Sequence, residues 1–519
     1  MKCDETRPSC NRCITSRRRC DGYLPANILV TRRRLADLVR QTASLGPAAV
    51  SIAPILRQSP EPPACTLDSL FFDVFRHATG PGTALLLPSL FWTQDLPQMA
   101  HAESAIWHAT LALGALHRQW EADRGLSRTV APTDDVFKRA AYRHYMRAIS
   151  LAKSITSAPT LRALSVVLVA VSNLLGRWSD SRTHLFGGLR LLDHEHKGEA
   201  DIDGAAEILG RLDLQAMTFS DSNAPYPFES PVWLRSLHKK LLGAETIDSY
   251  GRAGTLLLVL LRRFILLCVN THDGGAEPGP MYAGKAKLTE ELEAWEAKMA
   301  VFERTFLEDI PALSVRIFHA QLRLWLTRGF DGDEMWWDTD ESLFYFEYIV
   351  NLAEKLLGKL NTKSSNKLSL EPAVIVPLFS AAHRCRHPHL RRRAIKILSG
   401  CKRQEGMWPS DGAAAVAARI ADAEEGRLDP GSGNEGATAQ PSHDSPRLTC
   451  VPSIPWDTWS SGTELKARNV TWDNVDVPPR SRRVKDVLVE VSAEKKRVNI
   501  TLLFIRGEEM VTEEDTIIF

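Results

Sequence analysis

The chain has 519 residues, with 64 Lys and Arg against 63 Asp and Glu, 44% apolar residues and 24% charged ones. That composition excludes wholesale disorder and fibrous repeats, and the length allows more than one domain. The longest apolar stretch, Thr255 to Val269, is cut by Arg262 and Arg263, whereas a membrane span needs about 20 largely uncharged residues, so no span is expected.

The amino end reads Met1-Lys2-Cys3-Asp4-Glu5 with no apolar signal core behind it. The expected compartment is therefore the reducing cytosol or nucleus, where cysteines are thiols or metal ligands. Residues 1–40 hold ten Lys and Arg against four acids, a net +6, while the remaining 479 residues sum to −5. Only this end carries the charge of a polyanion-binding segment.

Four of the nine cysteines, Cys3, Cys10, Cys13 and Cys20, lie in the first twenty residues, with two-residue spacing at the centre and six-residue arms on either side. The central C-x-x-C lets two thiolates reach one tetrahedral metal, and the neighbouring basic side chains favour the thiolate form. A chance cluster in a basic tail accounts less well for this spacing, and a disulfide framework has no secretory route behind it. Cys65, Cys268, Cys385, Cys401 and Cys450 show no metal-ligand spacing.

The run from Lys2 to Cys13, continuing through Arg17-Arg18-Arg19-Cys20 to Tyr23, resembles the second half of the fungal binuclear zinc-cluster DNA-binding domain. In that family six cysteines hold two zinc ions, and Cys3, Cys10, Cys13 and Cys20 stand at the third to sixth ligand positions. The first C-x-x-C and the basic helix after it would lie upstream of Met1. We expect an upstream exon to encode them, Met1 then being an internal methionine; the rival is a genuine loss of DNA binding. Within the chain as it stands the two-metal cluster is incomplete, and a single four-cysteine site remains open. The resemblance implies Zn2+ as cofactor and DNA contact through Lys2, Arg12, Arg17, Arg18 and Arg19. Lys2 is what remains of the base-reading residues, and the arginines would address phosphate, which gives affinity without sequence choice. Arg17 to Arg19 and Arg32 to Arg34 also suit a nuclear import signal.

From Gln41 to Thr66 five prolines and few large apolar residues predict an extended linker. Helical periodicity follows. Ile106, Ala109, Leu113, Leu116 and Trp120 step by three and four, which places one apolar stripe on a helix from about Glu103 to Trp120. Similar patterns predict helices near 134–157, 160–175, 181–194, 205–219, 252–269, 285–306, 312–327, 341–360, 372–383, 388–398 and 413–425. Such helices gain most of their stability by burying their stripes against one another, so one packed all-α array is expected.

Within that array, Phe91-Trp92, His108 to His117, Tyr142 with His144-Tyr145, His184 to Leu189, and Cys385 to Pro388 with Arg391 to Ile395 are similar to the fungal-specific transcription factor domain. The resemblance covers roughly residues 67 to 425 and implies a regulatory role without catalytic residues. Toward the carboxyl end, Val487 to Val491 and Val498 to Ile505 flank a polar turn and predict a β-hairpin. An isolated hairpin is marginal, so it should pack on the helical body or pair with a strand near Asn469 to Trp472.

The expected organisation is thus mainly α. It comprises a partial zinc cluster over 1–23, a basic then Pro-rich linker over 24–66, and a helical array over 67–425. A disordered linker over 426–455 and a C-terminal segment over 456–519 with a short hairpin complete it.

Other candidate sites read as structure. Gly431 to Gly436 fits G-x-G-x-x-G as a string, but no strand precedes it and no helix follows it. His383, Cys385, His387 and His389 surround Pro388 and mark a junction between helices better than a ligand set. Arg391, Arg392, Arg393 and Lys396 are expected on a solvated helix face. Trp92, Trp336 and Trp337 suit core or ligand-pocket walls. No nucleophile elbow, zinc-protease motif or phosphate loop occurs, so no enzymatic activity is expected.

The sequence therefore points to a nuclear zinc-cluster regulator of RNA polymerase II transcription. Its partners would be promoter DNA and the transcription machinery or coactivators, with a small-molecule effector allowed for. No membrane partner is expected, and dimerisation stays open because no sustained heptad follows Tyr23. The alternative is a helical interaction or ligand-sensing protein that has lost sequence-specific DNA binding.

Overall fold

Helix starts follow local chemistry. Asp203 and Asp309 take extended backbone angles and accept from the amides of Ala206 and Ala312 through Oδ1, at 2.8 and 2.9 Å. Each thereby satisfies a backbone donor that the first helical turn leaves free. Proline occupies the first turn of the helices beginning at Ala158, Ile310 and Pro388, where its missing N–H costs nothing.

The computed structural model describes residues 66–124, 136–195, 203–219, 221, 225–228, 246–269, 278–305, 307–328, 334–360, 367–426, 454–460, 470–473, 475–492, 497–506 and 509–518. Helix α1 (Thr66–Val74) passes through a π-helical turn at Phe75–Thr79 into α2 (Gly80–Ala84). A second π-helical turn, Phe91–Asp95, leads into α3 (Leu96–Ala102) and α4 (Ser104–Asp123). There follow α5 (Val136–Ala152), α6 (Ala158–Leu174), α7 (Trp178–Glu195), α8 (Gly204–Thr218), α9 (Tyr250–Val269), α10 (Pro278–Phe302), α11 (Ile310–Thr327) and α12 (Asp340–Leu360). The later helices are α13 (Ile375–Arg384), α14 (Pro388–Cys401), α15 (Ser410–Glu424) and α16 (Trp456–Ser460).

The fold is mainly helical, as the periodicity predicts. Neighbours in sequence pack as pairs, α4 on α5, α6 on α7, α11 on α12 and α13 on α14. One apolar core runs through them from Phe71 to Trp459. Ile106, Ala109, Leu113 and Leu116 are all buried in it, as the stripe on α4 requires.

Two features differ from expectation. One is a small sheet inside the helical body. Strand β1 (Leu368–Ser369) pairs parallel with β2 (Gln404–Glu405), which pairs antiparallel with β3 (Trp408–Pro409). Glu405 is buried there and accepts from the amides of Ala373, Val374 and Ile375 at 3.0–3.1 Å, at the start of α13. A carboxylate on free N–H groups at the positive end of a helix is a favourable pairing.

The second difference lies at the carboxyl end, which forms a three-stranded antiparallel sheet, β4 (Val484–Ser492), β5 (Arg497–Arg506) and β6 (Glu509–Ile518), in which β5 is central. The third partner is thus β6, while 470–472 forms no strand and Trp472 packs against the helical core and the His387 ring. Glu509, Glu513, Glu514 and Asp515 hide the weak inward alternation of Val511 and Ile517. As expected, the sheet packs on the helical body, with Val484, Val498, Ile500, Leu502 and Phe504 against Val416 and Ile420 of α15.

Candidate effector cavity

The helical body forms a partly open cavity of about 460 Å³ among the ends of α8, α9 and α11, the length of α13, and β3. That volume lies in the range of small-molecule sites. Its walls are largely aromatic. Phe264 stacks on Trp325 with ring centroids 5.8 Å apart, and Phe379 lies 5.3 Å from Trp408 and 5.5 Å from His383. Asp486 of β4 completes the wall, so the carboxyl-terminal sheet contributes directly to the site. The register of β4 against β5 shifts between Val484 and Asp486, at the point where the strand meets the cavity.

A single 3-10 turn, Glu334–Asp338, brings Trp337 to this wall. Charged groups hold the turn in place. Glu334 accepts from Arg384 at 3.2 Å and from Arg386 at 3.0 Å, and Asp338 pairs with Arg483 at 2.6 Å. The guanidinium carbons of Arg328 and Arg384 lie 5.6 and 6.0 Å from the Trp337 ring centroid, within cation–π range.

Behind the cavity lies a buried ionic node. Glu424, the last residue of α15, pairs with Arg386 at 3.2 Å and Arg391 at 2.5 Å, and all three are fully buried. Burial alone would raise the Glu424 pKa, but the charges of Arg386 and Arg391 more than offset it and hold the carboxyl below its ordinary range. Burial, joined by the charges of Arg384, Arg386 and Arg391, keeps His383 well below the usual imidazole range, so it is neutral.

Arg391 is a correction to the sequence reading, which placed it on a solvated face with Arg392, Arg393 and Lys396. Spacing explains the error: Arg391, Ala394 and Leu398 step by three and four onto the inner face of α14. Arg392 and Lys396 are exposed, and Arg393 binds Asn351 and Glu354. The stretch His383 to His389 is a junction, with α13 ending at Arg384 and α14 beginning at Pro388. Trp92 is a core residue whose indole N–H donates to Glu371, which also pairs with Arg211 at 2.8 Å.

Cys3, Cys10, Cys13, Cys20, Lys2, Arg12, Arg17, Arg18 and Arg19 lie outside the described residues, as do Arg32 to Arg34 and Gly431 to Gly436. Among the described residues no group of three or more His, Cys, Asp or Glu is disposed to hold a metal, and no helix is long and apolar enough to cross a membrane. Sequence reasoning marked Trp336 and Trp337 as core or pocket wall; Trp337 lines the cavity while Trp336 is exposed, and Arg328, Arg384, Trp408 and Asp486, which share no spacing, were missed.

Comparison with known proteins places regulators beside this chain. It is 22% identical over 369 residues to the transcription regulator lscL of Purpureocillium lilacinum, an alignment covering 64% of this chain and 85% of that protein. It is 27% identical over 218 residues to the aspercryptin biosynthesis cluster-specific transcription regulator atnN of Emericella nidulans, across 37% of this chain and 32% of the relative. An uncharacterised transcriptional regulatory protein of Schizosaccharomyces pombe is 28% identical over 127 residues, 23% of this chain and 22% of its own length. No family profile and no solved structure matches the chain.

Proposed function

We propose that this chain is a nuclear transcription regulator of the fungal zinc-cluster type. Its basic amino end would contact promoter DNA in genes read by RNA polymerase II, and its helical body would regulate that contact or recruit the transcription machinery. One observation carries the reading: the similarity to a transcription regulator extends over 85% of that relative, far beyond a shared short motif. The cysteine spacing and the +6 charge of residues 1–40 support the DNA-contact half.

The donor set suits zinc. Cys3, Cys10, Cys13 and Cys20 supply the four thiolates that one closed tetrahedral structural site requires, and a structural zinc contributes folding free energy where a segment is too small to build a core. Four thiolates do not complete a two-metal cluster. Arg12, Arg17, Arg18 and Arg19 would then lie beside the metal site, ready to meet phosphate.

The experiment is zinc stoichiometry and duplex binding of the full chain. Bound zinc, lost on chelation together with salt-dependent duplex affinity, is the expected result. A chain that carries no zinc and ignores duplex DNA at low ionic strength would overturn this reading. The cavity would then favour the second one, a helical effector-sensing protein acting without DNA.

A further inference from the structure

The polar groups of the cavity are unevenly compensated. Arg384 shares Glu334 with Arg386 and also donates to the carbonyl of Lys485. Arg328 has no carboxylate partner among the described residues; its guanidinium lies against Trp337, and its carbonyl accepts from Lys285 Nζ at 2.9 Å. Lys285 thereby caps the carboxyl end of α11, where a cation meets the negative end of the helix dipole.

The apolar share of the wall has a definite shape. Phe264 and Trp325 form a stacked pair, and Phe379 with Trp408 a tilted one. Asp486 adds one negative charge at the wall, which disfavours an occupant with several negative charges.

We propose that this cavity binds a small anionic amphiphile, an aromatic or aliphatic body bearing one carboxylate. The carboxylate would pair with Arg328. The apolar body would lie among Phe264, Trp325 and Phe379. The claim rests on the regulatory reading of the helical body for its biological meaning, while its chemistry is independent of DNA binding.

The test uses the full chain and three probes of one shape: 2-naphthoate, the neutral 2-naphthamide and the cationic 2-naphthylmethylamine. Binding is followed by calorimetry and ligand-observed NMR. The acid should bind about tenfold more tightly than the amide, the ratio expected for one charge-assisted hydrogen bond. Arg328→Gln should erase that preference while leaving amide binding in place, and Val376→Trp, which fills the chamber, should abolish both. Circular dichroism establishes that each variant is folded; if Val376→Trp is not, the Arg328→Gln comparison decides alone.

Equal binding of acid and amide overturns the proposal, as does preference for the amine or a preference that survives Arg328→Gln. So does failure of the acid to bind at millimolar concentration. Zinc content and duplex affinity are measured on the same preparations. Their loss would sink the DNA-binding reading and leave the ligand result standing, and the converse outcome would do the reverse.

Discussion

Glu424 Oε1 accepts the backbone N–H of Val484 at 2.9 Å, joining the last residue of α15 to the first residue of β4 across sixty positions of sequence. The same carboxylate pairs with Arg391 and shares Arg386 with Glu334, so one buried side chain ties the helical body to the carboxyl-terminal sheet.

Glu424→Gln should therefore be severe. Removing one partner of a buried ion pair leaves uncompensated charge and costs about 3–5 kcal/mol. Urea unfolding followed by tryptophan fluorescence should show a loss of that size. A change under about 1 kcal/mol, the scale of a surface pair, would contradict the geometry. Because the folded Glu424 pKa is depressed, its contribution is complete above the unfolded carboxylate pKa and disappears as pH falls through the folded value.

His117 gives a second pH dependence. It is fully buried, with Nδ1 2.8 Å from Thr79 Oγ1, and burial lowers its pKa to about 4. The unfolded chain takes up this proton near the ordinary value of about 6.5, so stability falls as pH drops from there toward 4. The loss is on the order of 3 kcal/mol from this group. His117→Gln should flatten the thermal midpoint against pH over that window, and an unchanged slope would show that His117 is not its source.

The close approach of α1 and α4 makes Gly114 irreplaceable. A Cβ there would stand 1.9 Å from the Phe71 carbonyl oxygen, whereas one at Gly358 in α12 would meet nothing within 4 Å. Gly114→Ala should cost about 3 kcal/mol or more through displaced backbone. Gly358→Ala should gain up to about 1 kcal/mol from helix propensity. Thermal unfolding of the two variants side by side checks the contrast; similar midpoints would refute it.

At the amino end, replacing Arg17, Arg18 and Arg19 together by alanine should reduce the slope of log affinity against log salt by about 3, since each phosphate that is no longer neutralised takes away roughly 0.9. Fluorescence anisotropy with a labelled duplex across a salt series reads this directly. An unaltered slope would remove these residues from the interface.

Helix positions were legible because period and burial coincide. Ala141, Tyr145 and Ala148 step by four and three along the inner side of α5 and are buried, while Tyr142, Met146 and Arg147 between them are exposed. What periodicity does not show is which cations turn inward. Arg211, Arg316, Arg391 and Arg403 are all fully buried, and of these the sequence reading places Arg391 on a solvated face. Their carboxylate partners are Glu371, Glu303, Glu424 and Glu405, at separations from two to 160 residues, and no local pattern encodes such pairings. The cavity was partly visible for the same reason. Trp337 stood out as a large aromatic, but the pairing of Arg328 and Arg384 around it depends on the meeting of α11, α13 and the Glu334–Asp338 turn.

The cavity wall begins at Met217 and ends at Asp486. During synthesis the chamber therefore remains unfinished until β4 has emerged from the ribosome, long after the cysteine cluster. A message cut short before codon 484 would yield the basic amino-terminal sequence and every described α-helix without the last wall residue, and with Glu424 deprived of its amide partner. Premature termination in this gene would thus open the cavity wall while leaving the +6 charge of residues 1–40 in place.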